Sequence, residues 1–101
     1  MRDDTIHVVF FRHGDWWVSQ CLEYDLATQS RRLEDLPREV QRQLTVQIVG
    51  SLRRGIEPFS GLPPAPRRFW EMFERAQGRI APPAPAVEPT DLPRVEARLA
   101  A

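Results

Sequence analysis

Large apolar residues recur at every fourth position in the middle of the chain, and this spacing constrains the fold more than any other feature. The repeat consists of Leu36, Val40, Leu44, Ile48 and Leu52. Side chains with this spacing share one side of an α-helix, so the pattern predicts an amphipathic helix packed onto a core. Pro37 is tolerated only in a first helical turn, and Gly55 after Arg53 and Arg54 is typical of a helix end. We expect Asp35 as the N-cap and an end near Arg54.

The residues before this helix have the composition of β-strands. Residues 6–11 are β-branched or aromatic almost throughout, 12–15 supply turn residues, and 16–22 form a second strand-like run. The pattern predicts a β-hairpin, which residues 26–29 extend as a short third strand. Alternate residues of a strand share a face. The face that we expect to meet the core comprises Trp16, Val18, Gln20 and Leu22.

A chain of 101 residues can form one compact domain but not two independent cores. We expect an α+β fold, in which a three-stranded antiparallel meander with a possible short edge strand at 56–59 packs on the long helix. Residues 1–59 form this β-β-β-α-β core. Residues 60–78 complete the domain as a loop and a short aromatic helix that begins after Pro66. Residues 79–101, rich in proline and alanine, are expected to be a flexible tail.

Charge and cysteine content exclude several functional classes. The 14 Lys+Arg residues balance the 14 Asp+Glu residues, so charge gives no case for binding nucleic acid or an anionic membrane. Cys21 is the only cysteine, which rules out an internal disulfide and, with two histidines, the usual zinc sites. The longest apolar run is far below the ~18 residues that span a bilayer, and no signal-like segment opens the chain. We expect a cytoplasmic protein without metal or cofactor.

Two adjacent tryptophans in the second strand indicate that both faces of the sheet are covered. Trp16 and Trp17 must point to opposite faces, so the second helix or a partner subunit has to cover one of them. Both alternatives stay open, because that helix carries aromatic residues on more than one side. We expect a homodimer or a higher homo-oligomer. The expected partner or oligomer interface comprises Trp16, Trp17, Phe69, Trp70 and Phe73.

The stretch from Gly14 to Ser30, followed by Leu33-Glu34-Asp35-Leu36, resembles the N-terminal domain of the HicB antitoxin family. In both, a turn, an aromatic strand with valine, an acidic and apolar turn and a Thr-Gln strand end precede the helix. The resemblance covers roughly residues 6 to 55, and its motifs are structural rather than catalytic. It implies a partial RNase H-type fold. It also implies a protein that neutralises a small, HicA-like toxin ribonuclease by direct binding.

The chain departs from the family at its C-terminal side. Family members often carry a ribbon-helix-helix or helix-turn-helix domain, which one aromatic helix and a proline-rich segment over residues 60–101 do not supply. DNA binding by this chain alone is therefore not expected. Two other functions stay open, namely a nucleic-acid-binding or vestigial nuclease domain and a stand-alone structural homo-oligomerisation module.

No combination of residues in the sequence predicts catalysis. Cys21 has no histidine in a pattern that would activate it, and His7 and His13 lie on a predicted strand and its turn. Glu23 and Asp25 share a strand parity that would suit a nuclease metal site, but no further acidic cluster accompanies them. Solvated turn carboxylates are the favoured interpretation. We expect no enzymatic activity.

The helix assignment is tested by placing a charge in its apolar repeat. We expect Leu44→Asp to unfold the domain, because an unpaired buried carboxylate costs several kcal/mol against a total stability of ~5–15 kcal/mol. Thermal unfolding followed by circular dichroism measures the effect. An unchanged melting temperature would refute the assignment.

Overall fold

The computed structural model describes residues 5–80 and 93–100. Within them no helix combines the length and the apolar character needed to cross a membrane. A 3-10 turn at Leu33–Asp35 leads directly into the long helix. The strands and helices, in chain order, are β1 (Ile6–His13), β2 (Trp16–Cys21), β3 (Ala27–Ser30), α1 (Leu36–Arg53), α2 (Arg67–Arg75), β4 (Gly78–Ile80) and β5 (Val95–Leu99).

The strands form one mixed sheet in the order β3-β2-β1-β5-β4. The hairpin β1–β2 and the pair β2–β3 are antiparallel, as the sequence predicts. β1 also pairs with β5, in parallel, with Val8 opposite Ala97. β4 pairs antiparallel with β5 and forms the other edge. The α+β class is therefore confirmed, whereas the expected antiparallel meander accounts for only three strands of a larger, mixed sheet.

The expectation of a flexible tail over residues 79–101 is wrong at both of its ends, because residues 79–80 belong to β4 and residues 95–99 form β5. β5 lies between β1 and β4, and Ala97 is buried in the core. Val95, Ala97 and Leu99 pack on the core side, and charged residues stand between them, which is the period-two pattern of a strand. The many prolines that precede this short pattern obscured it. Residues 81–92 and 101 of the expected tail lie outside the described residues.

The expected edge strand at residues 56–59 is not formed. The chain instead closes α1 with a left-handed Gly55, at φ 68°. The Gly55 N–H donates to the Leu52 carbonyl at 3.1 Å, and the Ile56 N–H donates to the Ser51 carbonyl at 3.0 Å. These two bonds satisfy carbonyls that a helix end leaves free, and they end the helix at this point. β5 occupies the place beside β1.

Both faces of the sheet carry a core. On one face, Leu36, Val40 and Leu44 of α1 lie in a cluster with Ile6, Val8, Phe10, Cys21 and Ala97. On the other face, Val9 and Leu22 cluster with Ala65 and with Phe73 of α2. β1 supplies side chains to both clusters, so its apolar run is buried on two sides.

α1 packs on the face of β2 opposite to the one expected. Cys21 and Trp17 contact the α1 cluster, whereas Leu22 belongs to the cluster of α2. Ser19 and Cys21 are small, which leaves room for the long helix, and the Ser19 hydroxyl lies 2.6 Å from that of Thr28. The large apolar side chains of Val18 and Leu22 therefore do not mark the face of β2 that meets α1.

The fifth member of the apolar repeat, Leu52, is also placed differently. It is exposed, whereas Ser51 is buried. A spacing of four residues advances about 40° per step around a helix of 3.6 residues per turn. By the fifth residue the repeat has therefore rotated away from the core.

The role of β5 is tested by Ala97→Asp, which places a carboxylate in the core between α1 and the sheet. We expect a loss of several kcal/mol in the free energy of unfolding. Arg94→Asp, at an exposed position before the same strand, is the control and should change stability little. Equal melting temperatures for both variants would show that residues 95–99 are dispensable for the fold.

Candidate protein-interaction site

α2 covers the second face of the sheet along β1. The ring of Phe69 stacks on Phe11 at a centroid distance of 5.7 Å, and the ring of Phe73 meets the His7 imidazole edge-on at 5.4 Å. Phe73 is only 7% exposed. Of the expected interface residues, Phe73 therefore serves the interior of its own chain.

The loop before α2 extends this cover toward β2. The Ala65 N–H donates to the Leu22 carbonyl at 2.9 Å, and the Trp70 indole N–H donates to the Ala65 carbonyl at 3.2 Å. Phe69 and Trp70 remain half-buried. The second helix thus covers its own sheet, which was one of the two alternatives left open by the sequence.

The same face stays open where it passes over β2 and β3. Trp16 and Val18 are half-buried there, and Ala27 and Gln29 are exposed. Val18 is paired with Gln29 across the two strands, so these side chains point to the same side. We call this surface the outer sheet face. It comprises Trp16, Val18, Ala27 and Gln29.

The two adjacent tryptophans have different environments. Trp17 packs against the α1 cluster, with the Arg12 guanidinium 5.7 Å from its ring centroid. Trp16, on the outer sheet face, carries the guanidinium of Arg31 at 4.6 Å. Arg31 is exposed and forms no ion pair within the described residues. Because an exposed arginine is readily displaced or re-paired, the ring of Trp16 is accessible to a partner.

A half-buried polar cluster joins β5 and α2 to β1. Nδ1 of His7 lies 2.6 Å from Oε2 of Glu23, and Nε2 lies 3.4 Å from Oε2 of Glu96. The Arg98 guanidinium lies 3.4 Å from Glu96 and 4.2 Å from the Phe73 ring centroid, and it donates to the Phe73 carbonyl. The cluster fixes β5 and α2 in place. No sequence pattern indicated this cluster, because Glu96 and Arg98 lie in the segment expected to be a tail.

The two acidic residues considered as metal ligands face different partners. Glu23 is held by His7, since its Oε1 accepts the His7 backbone N–H at 2.7 Å. Asp25 accepts a hydrogen bond from the Gln20 amide at 2.9 Å. Across residues 5–80 and 93–100, no group of three His, Cys, Asp or Glu is arranged to hold a metal ion.

Cys21 is held away from solvent in the α1 cluster. Burial, with a smaller contribution from the negative charge of Glu23, raises the pKa of its thiol to about 12. The reactive form of a cysteine is the thiolate. Near neutral pH this side chain is therefore a small apolar core residue and not a nucleophile.

The outer sheet face is the candidate site in this geometry. It presents an accessible tryptophan with a stacked arginine on a hydrogen-bonded sheet, and these are two of the side-chain types that dominate protein interfaces. Comparison of the chain with protein-family models, with curated proteins and with solved structures finds no match. The chemistry of this face therefore carries the functional argument.

The buried thiol gives a pH-dependent prediction. Because the folded pKa of Cys21, about 12, lies above the ordinary value of 9.0, its contribution to stability is complete below pH 9 and is lost as the pH rises toward 12. We expect the unfolding free energy of the native protein to fall by up to about 1.4 kcal/mol per pH unit above pH 9, relative to Cys21→Ala. Urea unfolding at pH 8 to 10.5 measures both proteins. Parallel pH profiles would contradict the prediction.

Proposed function

We propose that the protein is a non-catalytic protein-binding module of the HicB antitoxin type, which neutralises a small toxin ribonuclease by direct binding. The observation that carries this proposal is the outer sheet face, where a half-buried Trp16 and an exposed Arg31 stack on each other beside a hydrogen-bonded sheet. Such a toxin acts on cytoplasmic RNA, so the module is expected to work in the cytoplasm.

The element order supports the same proposal. The resemblance implies a strand–strand–strand–helix–strand succession, and β1, β2, β3 and α1 follow it in order. The last strand of that order, expected at residues 56–59, is not formed, and the parallel neighbour of β1 comes instead from residues 95–99, outside the resemblance. α2 and β4 lie between α1 and β5, and α2 leaves part of the second face open. An open sheet face is the surface that a partner protein needs.

The outer sheet face also suits binding in energetic terms. Its backbone is already hydrogen-bonded in the sheet, so little conformational entropy is lost when a partner docks. Trp16 is half-buried, so only the remaining part of its surface is available to a partner, and every Å² buried there contributes roughly 25 cal/mol. The guanidinium of Arg31 can stay on the ring or pair with a carboxylate of the partner.

Nucleic acid is a weaker fit for this face. Trp16 and Arg31 have the chemistry to stack on a base. A backbone-binding groove needs several cations along one track, however, and Arg32, the next arginine along the chain, is paired with Glu34 at 2.8 Å. A protein surface is therefore the better partner.

The proposal is tested with the product of the adjacent reading frame as the partner. We expect it to co-purify with this protein and to lose ribonuclease activity in the complex. Trp16→Ala should weaken binding by about 2 kcal/mol, which is roughly 30-fold in Kd, as for a central interface residue. Isothermal titration calorimetry measures the affinity, and circular dichroism checks that the fold is intact.

Adjacent arginines provide a matched control. Arg31→Glu should weaken binding, because it removes the cation from the Trp16 ring. Arg32→Glu makes the same charge change one residue further along, where the side chain is paired with Glu34 and is not stacked on Trp16. Equal affinities for the two variants, or an adjacent gene product that does not bind, would refute the proposal.

A further inference from the structure

The C-terminal half of α1 exposes large apolar side chains on the side away from the sheet. The exposed fractions are 62% for Val46, 40% for Val49, 63% for Leu52 and 44% for Ile56, just past the helix end. Successive residues of a helix are 100° apart around its axis, and six residues on the outward side of α1 lie within one arc of about 100°. We call them the helix strip, which comprises Glu39, Arg42, Val46, Val49, Gly50 and Arg53.

Gly50 lies inside this strip, although no contact within the described residues requires a glycine there. A Cβ added at Gly50 would meet nothing within 4 Å, and its φ is not positive. A glycine inside a helix costs ~1 kcal/mol relative to alanine. Its small size is useful where another helix approaches closely from outside.

Ile56 borders the strip, and it is exposed because the end of α1 offers it no apolar side chain to pack on. In the type of helix end formed here, the residue after the left-handed glycine usually packs on an apolar side chain five or six positions earlier. Those positions hold Ser51 and Gly50. Ile56 therefore remains 44% exposed beside the strip, which enlarges the uncovered apolar area.

We propose that the helix strip binds the same strip of a second copy of this chain, with the two helices antiparallel and the two-fold axis near Val46. Charge decides this orientation. Glu39 lies seven residues before Val46 and Arg53 seven residues after it, and neither forms an ion pair within the described residues. Antiparallel pairing brings Glu39 against Arg53 of the partner subunit, and it does so twice. Parallel pairing would bring like charges together.

Packing agrees with this arrangement. The two Val46 side chains meet at the axis, and such a contact is self-complementary by symmetry. Arg42 and Gly50 lie four residues on either side of Val46. The aliphatic stem of Arg42 therefore lies over Gly50 of the partner subunit, where no Cβ stands in its way. The helix strip runs from Glu39 to Arg53, so it is ~21 Å long at 1.5 Å per residue and offers a small interface, typical of weak association.

This dimer does not depend on the proposed function. α1 and α2 cover opposite faces of the sheet, so the outer sheet face stays free when two helix strips pair. It also differs from the interface expected from the sequence, because the aromatic residues of α2 are not part of it.

The dimer is tested by sedimentation equilibrium of the full chain between 5 and 500 μM. We expect a monomer–dimer equilibrium for the native protein. Val46→Arg should weaken association at least tenfold, because it places two charges at the axis, and it should leave the melting temperature of the monomer unchanged. A native protein that is monomeric at all these concentrations would overturn the proposal. So would a lower melting temperature for a monomeric Val46→Arg, since a segment of the same chain would then cover the strip.

A charge swap tests the orientation. Glu39→Arg and Arg53→Glu should each weaken dimerisation several-fold, and the double variant should restore it, because both pairs then form with reversed signs. Arg75→Glu is the matched control, since Arg75 occupies the last turn of α2 as Arg53 does that of α1. It should leave dimerisation unchanged. A double variant that associates no better than the single variants would refute the antiparallel arrangement.

Discussion

The whole structure depends on the burial of β1 on both of its faces. Val8, Val9 and Phe10 are consecutive residues with almost no exposed surface. Consecutive strand residues point to opposite sides, so three such residues require a layer above the sheet and a layer below it. α1 provides the first layer, and α2 with its preceding loop provides the second. β2 and β5 satisfy the hydrogen-bonding groups at the two edges of the strand.

The two layers differ in extent, and this difference produces the surfaces that remain. α1 is twice as long as α2, with 18 residues against 9. The outward side of the longer helix leaves Val46, Val49 and Leu52 exposed. The shorter helix covers β1 and stops before β3. One face of the protein therefore has an uncovered helix and the other an uncovered piece of sheet.

Local patterns were sufficient to predict the hairpin, α1 and α2, because their signals lie within a few turns or one pair of strands. Three features needed information that no local pattern holds. Parallel pairing of β1 with residues 95–99 joins the two ends of the described chain. The face of β2 that meets α1 is the one with the small side chains of Ser19 and Cys21, which leave room for the helix. The half-buried polar cluster around His7 forms only once β5 is in place. The outer sheet face is defined by how far α2 extends, so only the tryptophan on that face was predictable.

The pairing of β1 with β5 has a consequence for the time at which the protein becomes folded during synthesis. β1 leaves the ribosome before β5, and this parallel neighbour follows almost ninety residues later. At roughly 5–20 residues per second, β1 waits for several seconds with one edge and much of its apolar surface unpaired. Pairings over such long separations also close slowly. The nascent chain therefore depends on the early β1–β2 hairpin and α1 to protect this strand until its last neighbour arrives.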